Sequence, residues 1–239
     1  MSTTKKVAIL QSNYIPWKGF FDIINMVDEF ILYDDMQYTT RDWRNRNKIK
    51  TATGTSWLTI PIRHDSRSQK INESVISEPK WAIRHWRTIA QTYAKAPYFN
   101  LYKEALEAIY QNPGSDHLSC INYRFIQFVC QELGITTKIS WSSDFVLAPG
   151  RTERLLQLVL DVGGTEYLSG PAARKYIVPA TFAEAGVTLE WMDYGGYPEY
   201  PQLGLAPFEH GVTVLDLLFN TGPATPHFLK SFAPLAASA

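Results

Sequence analysis

The sequence predicts an α/β fold: a mostly parallel, Rossmann-like sheet with flanking helices and a mid-chain three-helix segment. Three observations predict it. Val7-Ala8-Ile9-Leu10 and Phe30-Ile31-Leu32-Tyr33 are short continuous apolar runs, the pattern of strands buried on both faces. Between them Phe20, Phe21, Ile23, Ile24 and Val27 recur at helical spacing, so the segment reads as a βαβ unit with parallel strands. After a long helical stretch, strand and helix signals alternate again from Thr137.

Taken in order, the first strand ends in a loop from Gln11 to Trp17, where Pro16 removes a backbone donor and holds Ile15 extended. The second strand ends at Asp34-Asp35. Arg44 to Thr51 and Trp57 to Ile62 flank Thr53-Gly54-Thr55 and alternate as a hairpin does. Arg63 to Lys70 is a polar loop, and Ile71 to Ile76 a further short strand. Glu78-Pro79 opens a helix that runs to Pro97. Tyr98 to Tyr110 is a second helix, stopped by Asn112-Pro113-Gly114. A third is capped by Ser115 or Asp116 and closes at Leu133-Gly134. Thr137 to Trp141, Glu166 to Gly170 and Val187 to Met192 are strands. Arg151 to Val162, Pro171 to Tyr176, Val178 to Ala185 and Val212 to Phe219 are helical. The expected organisation is one domain over 1–239. Residues 1–77 and 135–220 form the α/β core, 78–134 a helical subdomain or insert, and 221–239 a frayed tail.

Composition narrows the function classes. With 45% apolar residues over 239 positions the chain can bury a core, and 23 basic against 23 acidic side chains leave no net charge. A neutral protein has no general attraction for nucleic acid, so no nucleic-acid partner is expected and any basic site must be local. The apolar run after the N-terminus has four residues before Gln11, too short for a signal peptide or a span. A cytoplasmic protein without membrane insertion is expected, and a homo-oligomer is compatible with the sequence. Cys120 and Cys130 lie ten residues apart in one helical pattern, so they cannot bridge and read as core residues in a reducing compartment. His64, His85, His117, His210 and His227 show no metal-ligand spacing, and His-Glu-x-x-His, Cys-x-x-Cys and Gly-x-Ser-x-Gly are absent. No metal site is predicted, and no cofactor is assigned.

The chemistry-bearing residues concentrate in two loops that leave adjacent strands at one carboxyl edge, where ligands of open parallel sheets bind. The first offers Gln11, Asn13, Tyr14, Trp17 and Lys18. The second offers Asp34, Asp35, Gln37 and Tyr38, then Arg41, Trp43, Arg44, Arg46 and Lys48. From Arg41 to Lys50 five cationic side chains stand against one acid, Asp42. Guanidinium forks match phosphate and carboxylate, so the arginines point to an anionic small-molecule substrate. Tyr14, Trp17, Tyr38 and Trp43 offer flat faces for a sugar or a base. The competing reading is a solvated hairpin whose arginines pair with neighbouring acids. Asp34 or Asp35 could act as general base, metal ligand or ribose acceptor, against a simple strand-end turn. Ser169-Gly170 and Arg174-Lys175 form a strand-to-helix turn that would let backbone donors reach a phosphate, assisted by Ser169 and Arg174.

Gln11-Ser12-Asn13-Tyr14-Ile15-Pro16-Trp17-Lys18-Gly19-Phe20-Phe21-Asp22, Tyr33-Asp34-Asp35-Met36-Gln37-Tyr38 and Arg41-Asp42-Trp43-Arg44-Asn45-Arg46-Asn47-Lys48 closely resemble the WbqC-like family. The resemblance continues through Ala96-Pro97-Tyr98-Phe99, Trp141-Ser142-Ser143-Asp144, Tyr167-Leu168-Ser169-Gly170, Tyr197-Pro198-Glu199-Tyr200-Pro201-Gln202 and Leu215-Asp216-Leu217-Leu218-Phe219-Asn220, nearly the whole chain. It implies a bacterial protein of glycan or natural-product biosynthesis, such as O-antigen assembly. The implied substrate is a nucleotide-activated sugar or similar phosphorylated intermediate, and transfer of an acyl or aminoacyl group to an amino sugar is one reaction consistent with it. A non-catalytic binding or scaffold protein of the same pathway, or a nucleotidyl-transferase-like enzyme, is the alternative. The chain departs from the family where Ser169 to Lys175 carries alanines in place of a glycine- and lysine-rich turn. Its topology also resembles nucleotidyl transferases, whose Pro-x-His-x-Gly-His loop is here Pro16-Trp17-Lys18-Gly19-Phe20, with no histidine.

Overall fold

The computed structural model describes residues 4–204 and 207–232. Five strands form one parallel sheet: β1 (Lys6–Leu10), β2 (Glu29–Leu32), β5 (Lys138–Trp141), β6 (Glu166–Ser169) and β7 (Thr188–Trp191), in the order β5-β2-β1-β6-β7. The register aligns Val7 with Glu29 and Leu10 with Leu32, and Lys6 with Glu166 on the other side of β1. The order reverses between β1 and β6. Beyond the carboxyl ends of strands at such a reversal, the connections diverge to opposite sides and leave a crevice.

Alternate side chains of β1 enter two cores. Ala8 packs with Phe30, Leu32 and α1 (Lys18–Asn25), together with α2 (Trp81–Tyr93), α3 (Phe99–Gln111), α4 (Leu118–Leu133) and α7 (Val214–Thr221). Val7 and Ile9 pack with Ile31, Tyr33, α5 (Arg151–Asp161) and α6 (Pro179–Glu184) on the opposite face. Burial of both faces is why the strands read as unbroken apolar runs. The predicted hairpin is present as β3 (Arg46–Thr51) and β4 (Gly54–Thr59), antiparallel, with Ile49 and Leu58 in the larger core. The three mid-chain helices lie between β2 and β5 in the chain and share that core.

Four local expectations are corrected. Ile71 to Ile76 is no strand: Glu73 and Ser74 turn the chain back onto Lys70 and Ile71, leaving isolated bridges at Lys70, Val75 and Ile76. Neither Ser115 nor Asp116 caps α4, because both are spent on His117, which precedes the helix. Cys130 is buried but Cys120 is exposed, since ten residues at 3.6 per turn place them about 80° apart around the helix. The chain after Thr221 does not fray through 232. Gly222–Phe228 forms a tight 3-10 turn, Leu229 is buried, and the Asp22 carboxylate accepts the N–H groups of Lys230 and Ser231 at 3.0 and 2.8 Å. Residues 233–239 of that expected tail lie outside the described part. Among the described residues no helix is long and apolar enough to cross a membrane.

Tyr14 is wholly buried, and its ring packs edge-on against Trp81 and Phe125. Its hydroxyl lies 2.6 Å from that of Tyr110 and 2.9 Å from His85 Nδ1. His85 Nε2 lies 3.2 Å from the Thr59 carbonyl oxygen, so Nε2 carries the proton and donates to it while Nδ1 accepts from Tyr14. Burial lowers the His85 imidazole to about 4 from an ordinary 6.5. The unfolded chain therefore binds a proton that the folded chain refuses, and stability falls as pH drops from about 6.5 toward 4. The expected loss is about 3 kcal/mol. Urea melts at pH 7 and pH 4.5 measure it: the difference between wild type and His85→Gln should shrink in acid. An unchanged difference would exclude the buried imidazole as its source.

Candidate functional site

The reversal between β1 and β6 opens into a crevice of about 640 Å³. Gln11 follows β1 and Ser169-Gly170 follows β6, and both line it. A third side is the start of α5, where Gly150 at φ 90° turns the chain into the helix and Arg151 and Arg154 sit in the first turn. Arg44 enters from the second loop. Tyr33, Met36, Leu155, Tyr167 and Tyr176 supply apolar surface. Among the described residues the wall thus holds three arginines and no acidic side chain.

The arginines are held in different ways. Arg154 Nε donates to the Ala148 carbonyl at 2.8 Å, and its Nη1 lies 3.5 Å from the Tyr33 hydroxyl. Among the described residues no carboxylate lies within 4.0 Å of Arg151 or Arg154. Glu153 in the same turn answers the helix's positive end, while Arg151 and Arg154 leave their charge free of a carboxylate, open to an anionic ligand. Arg44 donates to Asn13 Oδ1, and its closest carboxylate is Asp42 at 3.9 Å. Its main chain is fixed from below, where Asn122 Nδ2 donates to the Arg44 carbonyl and to Ser12 Oγ, both at 2.9 Å.

Asp34 belongs to this foundation. It is 1% exposed and accepts the Ser12 N–H at 2.7 Å, and its Oδ2 has no hydrogen-bond partner among the described residues. Burial pushes its carboxyl above the ordinary range, against the hydrogen bonds it accepts and the Arg44 charge. Asp35 accepts from Ser142 Oγ at 2.6 Å and Asn72 Nδ2 at 3.2 Å, with Lys70 Nζ at 3.7 Å. Neither aspartate lines the crevice, so the expectation of a carboxylate acting there as general base or ribose acceptor is corrected: both are tied to the scaffold by local hydrogen bonds.

The two loops do meet. Tyr14 N–H donates to the Trp43 carbonyl at 3.0 Å, in addition to the Ser12–Asp34 and Arg44–Asn13 contacts. Their accessible side chains nevertheless divide among three concavities. Gln11 and Arg44, with Ser169, face the crevice. Asn13, Trp17 and Trp43, with Pro16, Asn47, His210 and Gly211, line a second pocket of about 330 Å³. Gln37 and Tyr38 line an open groove with His64 and Arg67.

The second pocket rests on a constrained loop. Ile15, expected to be extended before Pro16, instead has φ 41°, rare for a branched residue and worth about 1–3 kcal/mol of strain. Asn47 holds it there: its Nδ2 donates to the Tyr14 and Ile15 carbonyls at 3.2 and 2.7 Å, while its Oδ1 accepts Lys48 N–H at 2.8 Å. Trp17 folds back over the start of α1, against Tyr194 and Tyr197 at 5.2 and 5.5 Å, because Gly19 has no Cβ to meet its ring.

The remaining predicted residues lie elsewhere. Lys18 is buried, donates to the Pro198 carbonyl at 3.0 Å and lies over the rings of Tyr197, Tyr200 and Phe208. Burial lowers its ammonium to about 8. Tyr14 is spent on the core, so its expected role as a ligand platform is corrected as well. Arg46 and Lys48 stack on Trp57, at 4.1 and 5.4 Å from its ring. Arg174 stacks on Trp191 at 5.1 Å, and Arg41 is exposed in a turn at φ 59°.

Arg151 and Arg154 escape a sequence reading that follows charge density. Their signal is positional: Gly150-Arg151-Thr152-Glu153-Arg154 puts two cations where a helix start favours acids. Residues 11–228 match the WbqC-like protein family. The chain is 48% identical over 227 residues to the uncharacterized protein Rv1507c of Mycobacterium tuberculosis (strain ATCC 25618 / H37Rv), covering 95% of this chain and 98% of that protein. No solved structure matches the chain.

Proposed function

The chain belongs to the WbqC-like protein family, and from that premise we propose a transferase whose crevice binds a nucleotide-activated sugar or a similar phosphorylated intermediate. The observation that carries the reading is the cationic wall, in which Arg151 and Arg154 have no carboxylate within 4.0 Å among the described residues and Arg44 meets only Asp42, at 3.9 Å. Arg44, Arg151 and Arg154 converge on a crevice without an acid, at the start of a helix and at the reversal of a parallel sheet. Forked guanidinium groups hold phosphate oxygens in a fixed orientation and stabilise charge that builds on a leaving phosphate. The tyrosine-lined side offers an apolar surface for a base or sugar ring. Transfer of an acyl or aminoacyl group onto an amino sugar is one reaction of this class.

Thermal melts against sugar nucleotides, nucleoside triphosphates, acyl phosphates, pyrophosphate and neutral sugars test the binding. A ligand of the folded state raises the midpoint with its occupancy, so phosphorylated compounds should stabilise the protein. Lack of a shift with every phosphorylated compound would overturn the reading. One observation favours a second reading, a non-catalytic carrier of the same intermediate: among the described residues no histidine, cysteine, lysine or acidic side chain lines the crevice. Mass spectrometry of the donor after incubation with an amino-sugar acceptor separates the two, since a carrier leaves it unconsumed.

A further inference from the structure

We propose that the 330 Å³ pocket between Trp17 and Trp43 is a second ligand site, built for an uncharged ring that presents a flat face. Its volume lies within the range of small-molecule pockets. Two indoles and the Pro16 ring form its walls, and none of its lining side chains is acidic, lysine or arginine. That composition contrasts with the arginine-walled crevice and selects against phosphate. Few polar handles are open. Asn47 is wholly engaged in holding the Ile15 turn, and Asn13 Oδ1 is taken by Arg44. Asn13 Nδ2, which has no partner among the described residues, and the exposed His210 remain.

Both indoles are positioned before any ligand arrives. Trp17 is seated by Gly19, Tyr194 and Tyr197. Trp43 is 42% exposed, yet its ring lies 5.3 Å from that of Trp57, which is stacked in turn under Arg46. An exposed indole braced by a second indole and a guanidinium is a platform, and ring faces, whether of a sugar or of a base, stack on it. The strained Ile15 turn aims Asn13, Pro16 and Trp17 into the same space, and over-determined strain of this kind gathers at ligand sites.

The two sites share a boundary. Asn13 lines the pocket, Arg44 lines the crevice, and the two side chains are hydrogen-bonded to each other. A ring in the pocket and a phosphorylated group in the crevice would meet at this pair, which makes the pocket the acceptor side of the reaction. That assignment rests on the transferase reading; the ring site itself does not.

Isothermal titration with methyl glucopyranoside and with adenosine tests it, the two probes separating a sugar face from a base. At least one should bind, and Trp43→Ala should weaken it about 5- to 100-fold while Trp43→Phe restores most of the affinity. Saturating pyrophosphate should leave the probe bound, and Arg154→Ala should leave its affinity unchanged. Failure of both probes to bind, an affinity untouched by Trp43→Ala, or displacement by pyrophosphate would each overturn the proposal. Ring binding by a protein that binds no phosphorylated compound would leave the site standing and remove its role as the acceptor side.

Discussion

Replacing Arg151 and Arg154 together with alanine is expected to reduce affinity for a phosphorylated ligand by about 10²- to 10⁴-fold. Hydrogen bonds to charged groups contribute roughly 1.5–3 kcal/mol each, and two such contacts sum to about 3–6 kcal/mol. The fold should not suffer. Arg151 is exposed, Arg154 is partly exposed, and neither pairs with a carboxylate among the described residues. The double change loses the Arg154 bond to the Ala148 carbonyl and two cations from the start of α5, so the ligand-free melting temperature should fall only slightly. Calorimetric titration of a bound nucleotide sugar or pyrophosphate, beside a melt of the free protein, reads both effects. Arg41→Ala and Arg174→Ala are the contrasts, because neither residue lines the crevice and each change should leave affinity nearly unaltered. Equal losses in all three variants would mean a diffuse charge effect and would remove the crevice from the proposal.

Much of this geometry is legible in the sequence, for physical reasons. Val7 to Leu10 and Phe30 to Tyr33 are buried on both faces, so their apolar runs are unbroken, and the helix between them forces parallel pairing. The reversal that opens the crevice depends on the side of β1 that β6 joins, which no local pattern encodes. The cations mislead for a related reason. Arg46, Lys48 and Lys50 stand close together because a hairpin alternates its faces. Two of them stack on Trp57, and Lys50 donates to the Pro207 carbonyl at 2.7 Å. Of that cluster Arg44 alone lines the crevice, where Arg151 and Arg154 join it from a distant helix. Aromatic loop residues mislead likewise. Tyr14 and Trp17 sit three apart in sequence, yet Ile15 turns between them and sends one into the core and the other to a pocket wall.

Asp216→Ala is expected to cost about 3–5 kcal/mol of stability, the range for removing one member of a buried hydrogen-bonded network. Asp216 is fully buried, and its carboxylate accepts from Tyr93 at 2.9 Å, Tyr200 at 2.5 Å and Gln202 at 2.6 Å. Burial pushes this carboxyl up, while the three donors and nearby Lys50 hold it down. Alanine takes the acceptor from the buried Tyr93 and Tyr200 hydroxyls and leaves the Gln202 amide with its bond to the Glu209 carbonyl. With native domains stable by roughly 5–15 kcal/mol, that is a large share, and urea denaturation should show a lower midpoint at constant slope. The damage should also reach the second pocket before the crevice. Gln202 is the tie between Asp216 and the loop that carries His210: its Nε2 donates to the Glu209 carbonyl at 3.2 Å, and its Oε1 accepts the Glu209 N–H at 2.9 Å. Asp216→Asn preserves volume while reversing part of the donor pattern, so it should stabilise more than alanine yet less than aspartate. If phosphate binding in the folded Asp216→Asn protein failed while ring binding survived, the tie through Gln202 would not be what holds the pocket. The Tyr200, Gln202 and Asp216 motifs are then a frame for the site, which explains side chains of strong chemical character so far from the crevice wall.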